Sequence, residues 1–70
     1  MDKDNLKIAK RLQQIRVGAG FTQKQVGIAL GVPRTAITLI ESGKRNVSIY
    51  ELKILVELYG VSANYILGIK

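Results

Sequence analysis

The nineteen residues Gln23-Lys24-Gln25-Val26-Gly27-Ile28-Ala29-Leu30-Gly31-Val32-Pro33-Arg34-Thr35-Ala36-Ile37-Thr38-Leu39-Ile40-Glu41 decide the fold. They read as two short helices joined by a tight turn. Val26 is an inward apolar residue and Gly27 follows it. Glycine inside a helix costs about 1 kcal/mol relative to alanine, so its presence at 27 points to a close approach by another segment. Leu30-Gly31-Val32 supplies an anchored turn whose glycine tolerates positive φ. Ile37 and Ile40, three apart, then point inward from the second helix. Together these features predict two short rods crossing steeply. An ordinary helical hairpin in a small bundle is the alternative, and the joint pattern disfavours it.

Working outward, the punctuation predicts five short helices. Upstream, Ile8, Leu12 and Ile15 lie at i, i+4 and i+7 and make one apolar face of a helix from about Asn5 to Val17. Asp2 and Asp4 suit its positive end, and Gly18 and Gly20 are expected to stop it. Thr22-Gln23-Lys24-Gln25 reads as a capping box, with Phe21 and Val26 as a hydrophobic staple. Downstream, Ser48-Ile49-Tyr50-Glu51 is a second capping box, stapled by Val47 and Leu52. Ser62 caps a fifth helix ending at Gly68, with Val61 and Ile66 as its staple. No segment shows the sustained alternation of a strand, so the expected fold is all-α, a five-helix domain over residues 1–70.

Helical geometry also sorts the second rod of the central stretch. With Ile37 and Ile40 inward, Thr35, Thr38, Leu39 and Ser42 face outward and Arg34 lies on the flank. Glu41 falls near the inward edge. The outward face is free of acids, and its flank and continuation, Arg34 with Lys44 and Arg45, are basic. Such a face can approach a polyanion closely; taken alone, it also suits a plain solvated surface.

Composition narrows the function further. The chain has 11 basic and 5 acidic residues, a net charge of +6 that favours polyanions, nucleic acid first and anionic membrane second. From charge alone, a basic domain with no such partner stays open. There is no cysteine, which excludes disulfides and thiolate metal sites. With no histidine, no paired acids and no glycine-rich phosphate loop, the chain is not expected to be an enzyme or to hold a metal or cofactor. No apolar run approaches the roughly 18 residues of a membrane span. Met1-Asp2-Lys3-Asp4 lacks the order of a secretory signal, so a small soluble cytoplasmic protein is expected.

In order and spacing, Leu12-x-x-Ile15-Arg16, Gly20-Phe21-Thr22-Gln23, Gly31-Val32-Pro33-Arg34, Ile37-x-x-Ile40-Glu41-x-Gly43-Lys44-Arg45 and Gly60-Val61-Ser62 resemble the phage repressor and Cro-type helix-turn-helix family, often called XRE. The likeness runs from about Ile8 to Gly68. It implies a transcriptional regulator, most often a repressor, binding double-stranded DNA at a pseudo-palindromic operator as a homodimer. By position, the resemblance assigns Arg34, Thr35, Thr38 and Leu39 to base edges. It assigns Gln23, Ser42, Lys44, Arg45 and Asn46 to phosphates, with Arg11 a further candidate. Arg16 and Glu41 match an internal salt bridge tying the first helix to the third, and Gly27 and Gly31 are structural. Pro33 stands where the family usually has a capping residue, which leaves the start of the third helix open by about one residue. Leu39 replaces a commoner polar reader, and packing on a thymine methyl and exposure to solvent are both open to it. Ile54 and Leu58 lie four apart on the fourth helix, with Tyr65, Ile66 and Ile69 beyond; some of them belong to the core, Ile66 as the staple partner of Val61, and the set suggests a weak dimer through the fifth helix and its surroundings. A protein-interaction module of the same fold, such as an antitoxin or anti-repressor, is the alternative function.

Overall fold

The computed structural model describes residues 3–69, so the role expected of Asp2 lies outside the described residues. Five helices follow in order: α1 (Lys3–Ala19), α2 (Gln23–Leu30), α3 (Arg34–Glu41), α4 (Ile49–Tyr59) and α5 (Ala63–Leu67). The side-chain chemistry of the chain sets their starts. The Thr22 hydroxyl accepts from Gln25 N at 3.1 Å, and Gln25 Oε1 accepts from Thr22 N at 2.8 Å. Ser48 and Glu51 form the same reciprocal pair, both bonds at 3.0 Å. Ser62 Oγ accepts from Tyr65 N at 3.0 Å. Each arrangement satisfies main-chain donors that the first helical turn leaves without a partner.

The end of α1 corrects one expectation. Gly18 does not stop the helix but lies inside it; the stop is Gly20 alone, at φ +83°. Gly20 N donates to Val17 O and Phe21 N to Arg16 O, both at 3.1 Å. This paired closure needs the left-handed conformation at one residue only, the one a glycine adopts without strain.

The core draws on α1 to α5: Leu12, Val26, Leu30, Ile37, Ile40, Leu55 and Ile66 are buried together. Val26, Ile37 and Ile40 come from the central stretch and face inward as their spacing requires. Phe21, after α1, stacks at a tilt on Tyr59 at the end of α4, ring centres 6.0 Å apart. Burial, with a smaller contribution from the Glu41 carboxylate, pushes the Tyr59 hydroxyl up to about 12.

The loop between α3 and α4 is held from both sides. Asn5 Nδ2 donates to Gly43 O at 2.7 Å across 38 residues of chain. Arg45 forks onto Glu51, Nη1 to Oε1 at 3.0 Å and Nη2 to Oε2 at 2.9 Å. Glu51 is buried, and it is the same residue that closes the α4 capping box. The Arg45 hydrogen bonds, reinforced by the Ser48 N–H, hold its carboxyl down from the ordinary 4.5 to about 2. A carboxylate depressed on folding contributes stability present above about pH 4.5 that is lost as pH falls toward 2. Glu51→Gln is therefore expected to flatten the fall of Tm over that window. Melts recorded from pH 7 to pH 2 would check it, and an unchanged acid limb would exclude the contribution.

Candidate nucleic-acid interface

The site is built on how α2 and α3 cross. A Cβ placed on Gly27 would lie 2.9 Å from Val32 O and 3.4 Å from Arg34 N, so α2 meets the turn backbone at the closest range a side-chain-free residue allows. Gly31, at φ +72°, ends α2, and its N–H closes back on Gly27 O and Ile28 O. Pro33 takes the N-cap of α3 in extended conformation and supplies no capping side chain. The fixed φ of proline suits this position, and α3 begins at Arg34.

This entry aims one face of α3 outward. Arg34, Thr35, Thr38, Leu39 and Ser42 are all exposed, while Ile37 and Ile40 are buried. Leu39 is 42% exposed. Among the described residues, no hydrogen bond or ion pair engages the Arg34 side chain. Arg34 borders a shallow depression of about 600 Å³ with Phe21, Gln23 and Lys24.

Beneath that face runs a polar chain. Arg16 Nε donates to Glu41 Oε2 at 2.7 Å and Nη2 to Oε1 at 3.1 Å, while Nη1 reaches Phe21 O at 2.9 Å. The two side chains are only 12% and 5% exposed. The hydrogen bond to Glu41 raises the Arg16 pKa further, so the guanidinium is permanently charged. Gln23 Nε2 donates to Glu41 Oε1 at 3.1 Å, and Thr38 Oγ1 donates to Gln23 Oε1 at 3.0 Å. Four residues from three helices thereby lock the rotation of α3 against α1 and α2.

The sequence-selected residues thus fall into distinct settings. Arg34, Thr35, Thr38 and Leu39 share the outward face of α3. Lys44 and Asn46 are exposed on the following loop, and Ser42 Oγ donates back to Leu39 O at 3.1 Å. The Gln23 side chain is held by Glu41 and Thr38. Arg45 is held by Glu51, a pairing the sequence reading did not include. Arg11 turns to α5, where its Nη1 lies 3.5 Å from Ile66 O. Lys24, two residues after the Thr22 cap, is exposed in the first turn of α2 and borders the same depression as Arg34.

A family model described as Helix-turn-helix matches residues 12–66. The chain belongs to the XRE-type helix-turn-helix family. As a helix-turn-helix domain of this family it is a DNA-binding domain. It is 37% identical over 59 residues, 84% of its length, to the HTH-type transcriptional activator BcrR of Enterococcus faecalis. The chain spans 29% of that relative's length. Among solved structures, this helix-turn-helix chain superposes on the restriction-modification controller protein C.AhdI of Aeromonas hydrophila with a TM-score of 0.84 and 25% identity, covering 93% of this chain and 98% of that one. The clp gene regulator ClgR of Corynebacterium glutamicum shares the fold at a TM-score of 0.83 and 21% identity, over 96% and 87% of the two chains. No described helix is long and apolar enough to cross a membrane.

Proposed function

We propose that this domain regulates transcription from the cytoplasm by reading a double-stranded operator sequence with α3 in the major groove, without catalysis. The observation that carries the proposal is the outward face of α3: exposed, acid-free, flanked by an unengaged arginine, and braced from behind by the Arg16–Glu41–Gln23–Thr38 chain. Arg34 reads guanine, since a guanidinium makes two bonds to its O6 and N7. Thr35, Thr38 and Leu39 meet neighbouring bases. Lys44, Ser42, Asn46, the outer edge of Arg45 and the N–H groups at Gln23 position the phosphates. Bound across a promoter, such a domain represses by exclusion, the sign the family likeness favours; the relative BcrR carries the name of an activator.

A single domain of this size covers little DNA, so the operator is proposed to be pseudo-palindromic, with two copies about 10 bp apart. The apolar residues that the sequence offers for a seam divide between core and surface. Ile54 and Leu58 are half-buried against the core and Ile66 is fully buried, because α4 and α5 turn these residues inward. The exposed large apolar residues of α5, its C-terminal side and the start of α4 are Ile49, Tyr50, Tyr65, Leu67 and Ile69. Ile49 and Leu67 border one groove of about 430 Å³ with Ile8 and Leu52. These residues support a homodimer built around α5 and the start of α4.

Selection of bound duplexes from a random pool, followed by footprinting and sedimentation of the complex, tests the proposal. Two half-sites and a two-to-one complex are expected. Arg34→Ala should relax preference at one base pair per half-site. Lys44→Ala should weaken binding to all sequences and lower the salt slope by about one unit. Failure to retain any duplex at low salt would overturn the proposal.

A further inference from the structure

The polar chain from Arg16 to Thr38 has a direction. Arginine only donates, and the Glu41 carboxylate paired with it only accepts. Facing that carboxylate, Gln23 has to present its NH2 group, and Nε2 lies 3.1 Å from Glu41 Oε1. This choice turns the amide oxygen of Gln23 to the other side, 3.0 Å from Thr38 Oγ1. An amide oxygen cannot donate, so the hydroxyl of Thr38 does. Its second neighbour, Arg34 O at 3.4 Å, is also an acceptor. A hydroxyl has one hydrogen, and both protein groups within reach compete for it. Only the lone pairs of Oγ1 are left to face outward.

A lone threonine is an ambiguous reader, since its hydroxyl can donate or accept and so serves several bases. We infer that this network makes Thr38 an acceptor-only reader, which selects an operator base with an amino group in the major groove, adenine or cytosine, over guanine or thymine. The inference rests on the proposed placement of α3 in the major groove. There adenine offers its N6 amino group and cytosine its N4 amino group, whereas guanine O6 and thymine O4 are acceptors. Lone pairs set against a keto oxygen leave two desolvated acceptors opposed, a costly arrangement. Glu41 and Gln23 touch no base in this scheme. They are positioning residues that set the hydrogen-bond polarity of the one that does.

The test measures affinity of the unaltered chain for its selected operator and for duplexes in which each half-site base pair is replaced in turn. The same set is then run with Thr38→Val and Gln23→Leu. One position is expected at which adenine or cytosine on the read strand outbinds guanine or thymine about fivefold, the effect of one neutral hydrogen bond. Replacing that base by an analogue lacking only the exocyclic amino group should cost a similar factor. Thr38→Val should flatten that position alone. Gln23→Leu should weaken discrimination there too, because the carbonyl at 3.4 Å holds the hydroxyl hydrogen poorly against a keto oxygen. Preference at the position read by Arg34 should survive both changes.

A keto base favoured at the Thr38-dependent position, tolerance of the amino-less analogue, or full discrimination in Gln23→Leu would overturn the inference. The analogue arm uses the native protein, so it stands even where a variant folds poorly. Absence of any duplex binding at low salt would instead overturn the proposed function, and the two failures are distinct.

Discussion

Glu41→Ala is expected to cost about 3 kcal/mol of folding stability, the low end for removing one partner of a buried ion pair. The loss comes less from the attraction forfeited than from the charge left behind. The Arg16 side chain is 12% exposed and among the described residues keeps Phe21 O as its one acceptor, so its guanidinium stays largely desolvated without a counter-ion. A domain of this length holds roughly 4–10 kcal/mol in total, so the variant should be partly unfolded at moderate urea. Denaturant titration would measure the loss, and a value under about 1 kcal/mol would mean that solvent screens the pair. The double variant Arg16→Met with Glu41→Leu removes the stranded charge and should recover most of the stability. Discrimination at the base faced by Thr38 should stay weakened in it, since Gln23 has lost the acceptor that orients its amide.

Gly27→Val is expected to be at least as damaging, by about 3 kcal/mol, and to abolish operator binding. Even a single Cβ at this position meets the Val32 carbonyl at 2.9 Å, and the branched γ carbons of valine add to the conflict. The obstacle is backbone, so no rotamer change relieves it; α3 has to move away from α2. Gly18 supplies the control. A Cβ there meets nothing within 4 Å, and the residue lies inside α1. Gly18→Ala should therefore stabilise the protein by roughly 0.5–1 kcal/mol through helix propensity. Thermal melts of the two variants should shift in opposite directions, and a neutral Gly27→Val would show that the helices do not approach as closely as described.

The two glycines mark the reach of sequence reasoning. Both lie in helices, and at Gly27 the helix penalty signals the close approach because Val26 and the turn at Gly31 frame it. Gly18 had no such frame, and its neighbour Gly20 offered the same stop signal two residues on. Which of two nearby glycines adopts positive φ depends on which closure the helix end completes, and spacing alone does not reveal that.

The interface divides in the same way. That Ile37 and Ile40 face in and Thr35, Thr38 and Leu39 face out follows from 100° steps along one helix. That Arg45 is tied to Glu51 was hidden, because Glu51 already had a complete local role as the partner of Ser48. Ile54 and Leu58 looked like surplus apolar surface when counted along α4, yet neighbouring elements half cover them.

Five helices, their caps and the direction of the α3 face were written in the order of residues, since a cap or an apolar period acts within a turn or two of chain. The polarity of the chain from Arg16 through Glu41 and Gln23 to Thr38 was not. Its links join residues 25, 18 and 15 positions apart. Which polar atoms meet at such separations depends on how three helices pack, and hydrogen-bond direction has no meaning until they do.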